Sequence, residues 1–221
     1  MCQACMTYMY VYGRGLFSVG KGLAQWESIW HNRKRFGDFM RLFAALPIPD
    51  NAAQPLLGLQ YGVPGAHWRP RENLHITLCF YGEVKDPMAI KALDEELASI
   101  NAPALHIEIG EGGMFGGKTP RALWMGIANN PALMALAEAC KGAAQRAGIA
   151  VERRSYTPHI TLAYCRGTTD AQAARYLERL SGFRTPAFEA DHFILYRSKL
   201  GTDPARYTPK AHYALGGEDW P

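Results

Sequence analysis

From residue 41 onward, short apolar runs, several of them alternating apolar with polar positions, are separated by Gly, Pro, Asn and Asp. Such runs predict β-strands, here over 41–46, 74–81, 105–109, 122–127, 159–164, 187–196 and 207–215. Between them the apolar period lengthens towards that of a helix. Met88, Ile90, Leu93, Leu97 and Ile100 predict a helix over 87–100, and Pro131 at a first turn followed by Gly148 predicts another over 131–147. Weaker patterns predict helices over 51–59, started by Asp50, and over 170–180. The 105–109 and 122–127 strands are expected to form a hairpin across a glycine-rich connection. Strands alternating with helices in two similar halves suggest a duplication.

The duplication is sharpest in one phrase. His75-Ile-Thr-Leu78 recurs as His159-Ile-Thr-Leu162, 84 residues later and in a matching strand context. Along a strand, His and Thr share one face and Ile and Leu the other. Each His therefore stands about 7 Å from its Thr along one wall, above an apolar core face. Two such walls would place two imidazoles and two hydroxyls around one small anion. Imidazole titrates near neutrality, so one ring can take a proton from water while the other gives one to a leaving alkoxide. Threonine hydroxyls can donate to non-bridging phosphate oxygens. This chemistry requires no metal or cofactor, and none is expected.

Composition narrows the setting. A hydrophobic fraction of 48% with 20% charged residues fits a globular protein and excludes a disordered one. No apolar run has the length of a membrane span. The net charge is only +4, so a nucleic-acid contact should be a local site and not a long basic track. Five scattered Cys point to free thiols in a reducing cytoplasm. Residues 1–39 differ from the rest, with Arg14, Lys21, Arg33, Lys34 and Arg35 against Glu27 and Asp38 and no sustained period. Met40 is expected to be the natural start, with 1–39 a poorly ordered extension or a mis-assigned beginning and 40–221 a two-lobed domain. Cys2-Gln-Ala-Cys5 is half of a metal motif with no second half.

One competing motif appears. Gly112-Gly-Met-Phe-Gly-Gly-Lys118-Thr119 matches the P-loop pattern, which must lead from a strand into a helix. Here Pro120 and then a strand-like run follow, so a hairpin connection is expected instead. Lesser candidates are Arg153 and Arg154, close enough to the second phrase to help hold a phosphate, and Phe43, Trp68 and Tyr207, which could stack on a base.

The stretch Trp68-Arg-Pro-Arg-Glu-Asn-Leu-His75-Ile-Thr-Leu-Cys-Phe-Tyr-Gly82 resembles the first signature of the bacterial RNA 2′,3′-cyclic phosphodiesterases, also called 2′-5′ RNA ligases. Tyr156-Thr-Pro-His159-Ile-Thr-Leu-Ala163 resembles the second, and the similarity runs over about 40–215. This two-histidine phosphoesterase resemblance implies an α+β bilobal fold, with two antiparallel sheets facing a central cleft and helices outside. It also implies hydrolysis of RNA 2′,3′-cyclic phosphate ends, or of small cyclic nucleotides, to 2′-phosphates, with reverse 2′-5′ ligation as a minor activity. The resemblance makes His75 the proton donor and His159 the acceptor, with Thr77 and Thr161 on the phosphate; the residues alone do not say which histidine does which. The alternatives are a non-catalytic RNA-end or nucleotide binding module and, from another class, a P-loop hydrolase. A monomer is expected.

Overall fold

Among the residues described by the computed structural model, 40–152, 155–199 and 204–217, every strand pairing is antiparallel. The expectations for 1–39 lie outside these residues. The strands are β1 (Met40–Pro47), β2 (Ala66–Trp68), β3 (His75–Val84), β4 (Leu105–Ile107), β5 (Ile109–Phe115), β6 (Ala122–Ile127), β7 (His159–Cys165), β8 (Phe188–Ala190), β9 (His192–Lys199) and β10 (Arg206–Ala214). Among the described residues, four α-helices join them: α1 (Asp50–Leu57), α2 (Pro87–Ala98), α3 (Pro131–Arg146) and α4 (Asp170–Leu180). Antiparallel sheets with helices between their strands make this an α+β protein, as expected.

The large sheet runs β10-β9-β1-β3-β7-β6-β5, with β2 also paired to β7, while β4 and β8 form a separate two-stranded sheet. Its two halves meet between β3 and β7, where the register consists of one residue pair, Ile76 opposite Ile160. Each half thus carries one histidine phrase on its innermost strand, and the strands part on either side of that rung.

Burial follows the alternation of the phrases. His75 and Thr77 are half-buried while Ile76 and Leu78 are buried, and His159, Ile160, Thr161 and Leu162 repeat the pattern residue for residue. The apolar face is covered by helices whose buried residues recur at helical spacing, such as Leu133, Leu136, Ala137, Cys140, Ala143 and Ala144 on α3. α3 packs on β3 and against α2, and α4 lies against β5. Asp86 caps α2, Asn130 caps α3, and Thr169 with Gln172 forms a capping box on α4, fixing where each begins.

Three details differ from the sequence expectation. The glycine-rich stretch is mostly strand: Gly112, Gly113, Met114 and Phe115 lie in β5, paired with β6, and the turn begins only after Phe115. No helix follows Lys118, so the P-loop geometry is absent there. Leu105–Ile107 pairs with β8 instead of β6, and the run over 187–196 breaks at Asp191 into β8 and β9.

Candidate active site

Both histidines are held in the same way. The Nδ1 of His75 lies 2.8 Å from the carbonyl oxygen of Asn73, and that of His159 lies 2.7 Å from the carbonyl of Thr157. A carbonyl only accepts, so each Nδ1 carries the hydrogen and each neutral ring keeps Nε2 as its acceptor. The anchoring residues are themselves fixed. Asn73 ends a 3-10 turn, and its side-chain amide donates to the carbonyl of Ala205 at 2.8 Å. Arg71, in the same turn, donates to the Ile48 carbonyl and the Asp50 carboxylate, both at 2.6 Å. Tyr156, beside Thr157, donates its hydroxyl to the carbonyl of Thr77 at 2.9 Å.

The rung between β3 and β7 gives the site a local dyad. With Ile76 opposite Ile160 in antiparallel register, His75 lies towards Thr161 and Thr77 towards His159. The four polar side chains therefore surround one point.

The walls differ. The ring of His75 packs against Phe43 at 5.1 Å and edge-on to Tyr207 at 5.3 Å, with Tyr196 stacked behind Phe43 at 5.2 Å. His159 meets Phe115 edge-on at 4.9 Å and Trp124 at 5.9 Å. Trp124 lies beside Thr161 in the β6–β7 register and faces Gly113 across the β5–β6 pair. A Cβ at Gly113 would collide with the indole, so the glycine makes room for the ring beside His159.

Burial pushes the pKa of both histidines down. For His75 it falls to about 4, from burial first, against the opposing Asn73 hydrogen bond, with smaller contributions from the His159 and Arg69 charges. His159 is lowered by burial and partly restored by its bond to Thr157. Both rings are thus neutral at neutral pH in the empty cleft. A bound phosphodiester anion would favour their protonated forms.

The structure brings together His75, His159, Thr77, Thr161, Phe43 and Tyr207 from the sequence candidates. Arg153 and Arg154 lie outside the described residues. Trp68 packs against Tyr176 of α4 at 5.6 Å, an interior contact. Phe115, Trp124 and Tyr156 were not singled out by sequence: a Phe and a Trp within strands carry the ordinary signature of core packing.

Fold and site together define a duplicated two-histidine protein with its paired imidazoles at the junction of two antiparallel half-sheets. The chain belongs to the 2′-5′ RNA ligase superfamily, whose family model matches residues 48–202. Its similarity to the RNA 2′,3′-cyclic phosphodiesterase of Escherichia coli K12 is 29% identity over 188 residues, covering 79% of this chain and 96% of that protein. A Geobacillus stearothermophilus protein of the same name is 29% identical over 187 residues, but the chain spans only 58% of its length. Among solved structures, E. coli LigT complexed with 3′-AMP is 26% identical with a TM-score of 0.65, covering 80% of this chain and 99% of that one. TT0787 of Thermus thermophilus is 25% identical with a TM-score of 0.64, covering 81% of this chain and 100% of that one.

Proposed function

We propose that the protein hydrolyses RNA 2′,3′-cyclic phosphate ends to 2′-phosphates without a metal ion. The observation that carries this reading is the matched pair of Nδ1-anchored imidazoles either side of the Ile76–Ile160 rung, each with a free Nε2 and a threonine of the opposite phrase nearby. The names of the curated relatives and the 3′-AMP found on LigT support it. His159 takes a proton from water, whose oxygen attacks phosphorus. The bond from phosphorus to the 3′-oxygen breaks, and His75 delivers its proton to that oxygen. The phosphate stays on the 2′-oxygen, and exchange with solvent resets both rings. Thr77 and Thr161 donate to the non-bridging oxygens. Because His75 is neutral in the empty cleft, the substrate's own negative charge is what makes it an acid. Run in the same direction with a 5′-hydroxyl in place of water as the attacking group, the same steps form a 2′-5′ linkage and release the 3′-hydroxyl. The thiols of Cys79, Cys140 and Cys165 are free, which suits an enzyme of the reducing cytoplasm.

The test is an oligoribonucleotide ending in a 2′,3′-cyclic phosphate, incubated with the protein in EDTA without ATP, with identification of the product isomer. Turnover to the 2′-phosphate is expected, falling roughly 10²–10⁴-fold in each of His75→Ala and His159→Ala. Binding of the oligonucleotide without turnover would instead mark a non-catalytic module, and turnover requiring magnesium would sink the metal-independent mechanism.

A further inference from the structure

The parting of β3 and β7 leaves a gap on each side of their rung. Tyr156 crosses one of these gaps. Beside the other lies Arg69, in the segment that continues from β2. Its backbone N–H donates to the carbonyl of Leu162 at 2.8 Å, one residue beyond Thr161. Its own carbonyl accepts from Gln60 Nε2 at 2.9 Å. The residue is only 3% exposed, and its guanidinium carbon stands 5.1 Å from the ring centroid of Tyr164 on β7. The same side chain hydrogen-bonds with Tyr207 of β10, and its charge acts on His75 of β3. One guanidinium thus contacts the second half through Tyr164 and reaches the first through Tyr207.

A guanidinium is costly to bury, so a position that holds one so firmly needs a physical return. The aromatic face of Tyr164 offsets part of that cost. An anion between the histidines would supply more, because charges attract strongly where water is scarce. The histidines cannot provide this attraction themselves, since both are neutral in the empty cleft. Threonine hydroxyls contribute dipoles only.

We propose that Arg69 is the fixed positive charge that draws the substrate's phosphate into the seam between His75 and His159 and orients it there. This deepens the cyclic phosphodiesterase reading and rests on it. Arg69 acts as a positioning residue. In the empty site its charge opposes a proton on His75, and an arriving phosphate cancels that opposition. Charging of the general acid is thereby tied to the presence of substrate.

The experiment compares wild type, Arg69→Met and Arg69→Lys in three measurements. These are calorimetric binding of adenosine 2′-monophosphate, steady-state hydrolysis of the cyclic-phosphate oligonucleotide, and NMR titration of the His75 ring. Arg69→Met should weaken binding roughly tenfold or more, the scale of a lost charge-assisted contact. It should raise KM by a larger factor than it lowers kcat, and it should raise the His75 pKa. Arg69→Lys should recover most of the affinity. In the wild type, adding the nucleotide should shift the side-chain 15N signals of Arg69, a measurement that holds even where Arg69→Met does not fold. Unchanged nucleotide affinity in folded Arg69→Met, or unmoved Arg69 signals at saturation, would overturn the proposal. A wild type that binds the nucleotide through Arg69 but leaves cyclic-phosphate RNA intact would sink the proposed activity and leave Arg69 as an anion site. Turnover that is indifferent to Arg69→Met would do the reverse.

Discussion

The hydroxyl of Tyr156 donates to the main-chain oxygen of Thr77 across 2.9 Å, so the loop leading into one histidine phrase holds the strand that carries the other. Burial raises the pKa of this phenol well above its ordinary value, so it remains a donor throughout the working range. Tyr156→Phe removes the donor and leaves a carbonyl unmatched beside the cleft. A loss of about 1–3 kcal/mol in urea unfolding is expected, with a fall in kcat. Unchanged values of both would show that the halves are aligned without it.

The lowered pKa values predict an acidic optimum for kcat/KM, which follows ionisations of the free enzyme. The active form needs one ring protonated and the other neutral. That form is most abundant between two pKa values, and both lie below the ordinary 6.5. kcat/KM should therefore peak below pH 6.5 and decline above it. The kcat profile should lie at higher pH, because bound phosphate raises both rings. A kcat/KM optimum above pH 7.5 would contradict the electrostatics of the site.

The same shift makes stability depend on pH. His75 has a folded pKa of about 4 against 6.5 in the unfolded chain, so below pH 6.5 the unfolded state binds the extra proton. Its contribution is complete above pH 6.5 and is lost as the pH falls towards 4, by on the order of 3 kcal/mol. His159 acts in the same direction. Urea unfolding at pH 7.5 and pH 5, repeated on His75→Gln, should show a smaller loss in the variant.

Gly113→Ala should reduce activity while leaving the fold intact. The added methyl displaces the indole of Trp124 from beside His159. A decrease of up to roughly 10²-fold in kcat is the scale of a catalytic group misplaced by about 1 Å. Trp124→Leu in the Gly113→Ala background should recover part of it, and additive losses in the double variant would show that the two residues are not coupled.

Lys118→Ala should leave turnover unchanged. Lys118 is exposed in the turn between β5 and β6, where no helix follows to cradle a phosphate. An activity loss of tenfold or more would reopen the nucleotide-hydrolase interpretation.

Much of this was legible in the sequence. The phrases His75–Leu78 and His159–Leu162 announced both strands and the shared face of their His and Thr, because a period of two leaves side chains no other choice. The helix expected over 170–180 matches Asp170–Leu180, and the capping box of Thr169 and Gln172, which fixes its start, emerges only from the structure. β5 was missed because Gly112 and Gly113 suggest a loop, whereas one of them serves to admit Trp124 against the ladder. β2 was too short to show a period, and with it Arg69 went unmarked. Its neighbours Tyr164 and Tyr207 lie 95 and 138 residues away along the chain, a proximity only the fold creates. Phe43 and Tyr207 were found as aromatic residues; their contact with His75 depends on the register of β1 with β3 and on the placement of β10.

The rung at Ile76 and Ile160 has a consequence for the direction of the reaction. In the proposed mechanism a dyad would offer an incoming water and a departing ribose oxygen equivalent imidazoles, anchoring carbonyls and threonines. Two identical phrases contain no information that distinguishes entry from exit. That distinction belongs to their unequal surroundings: Phe43, Tyr207 and the charge of Arg69 around one ring, Phe115 and Trp124 around the other. The doubled phrase makes the site a palindrome, and its unequal flanking residues give it a sense in which to be read.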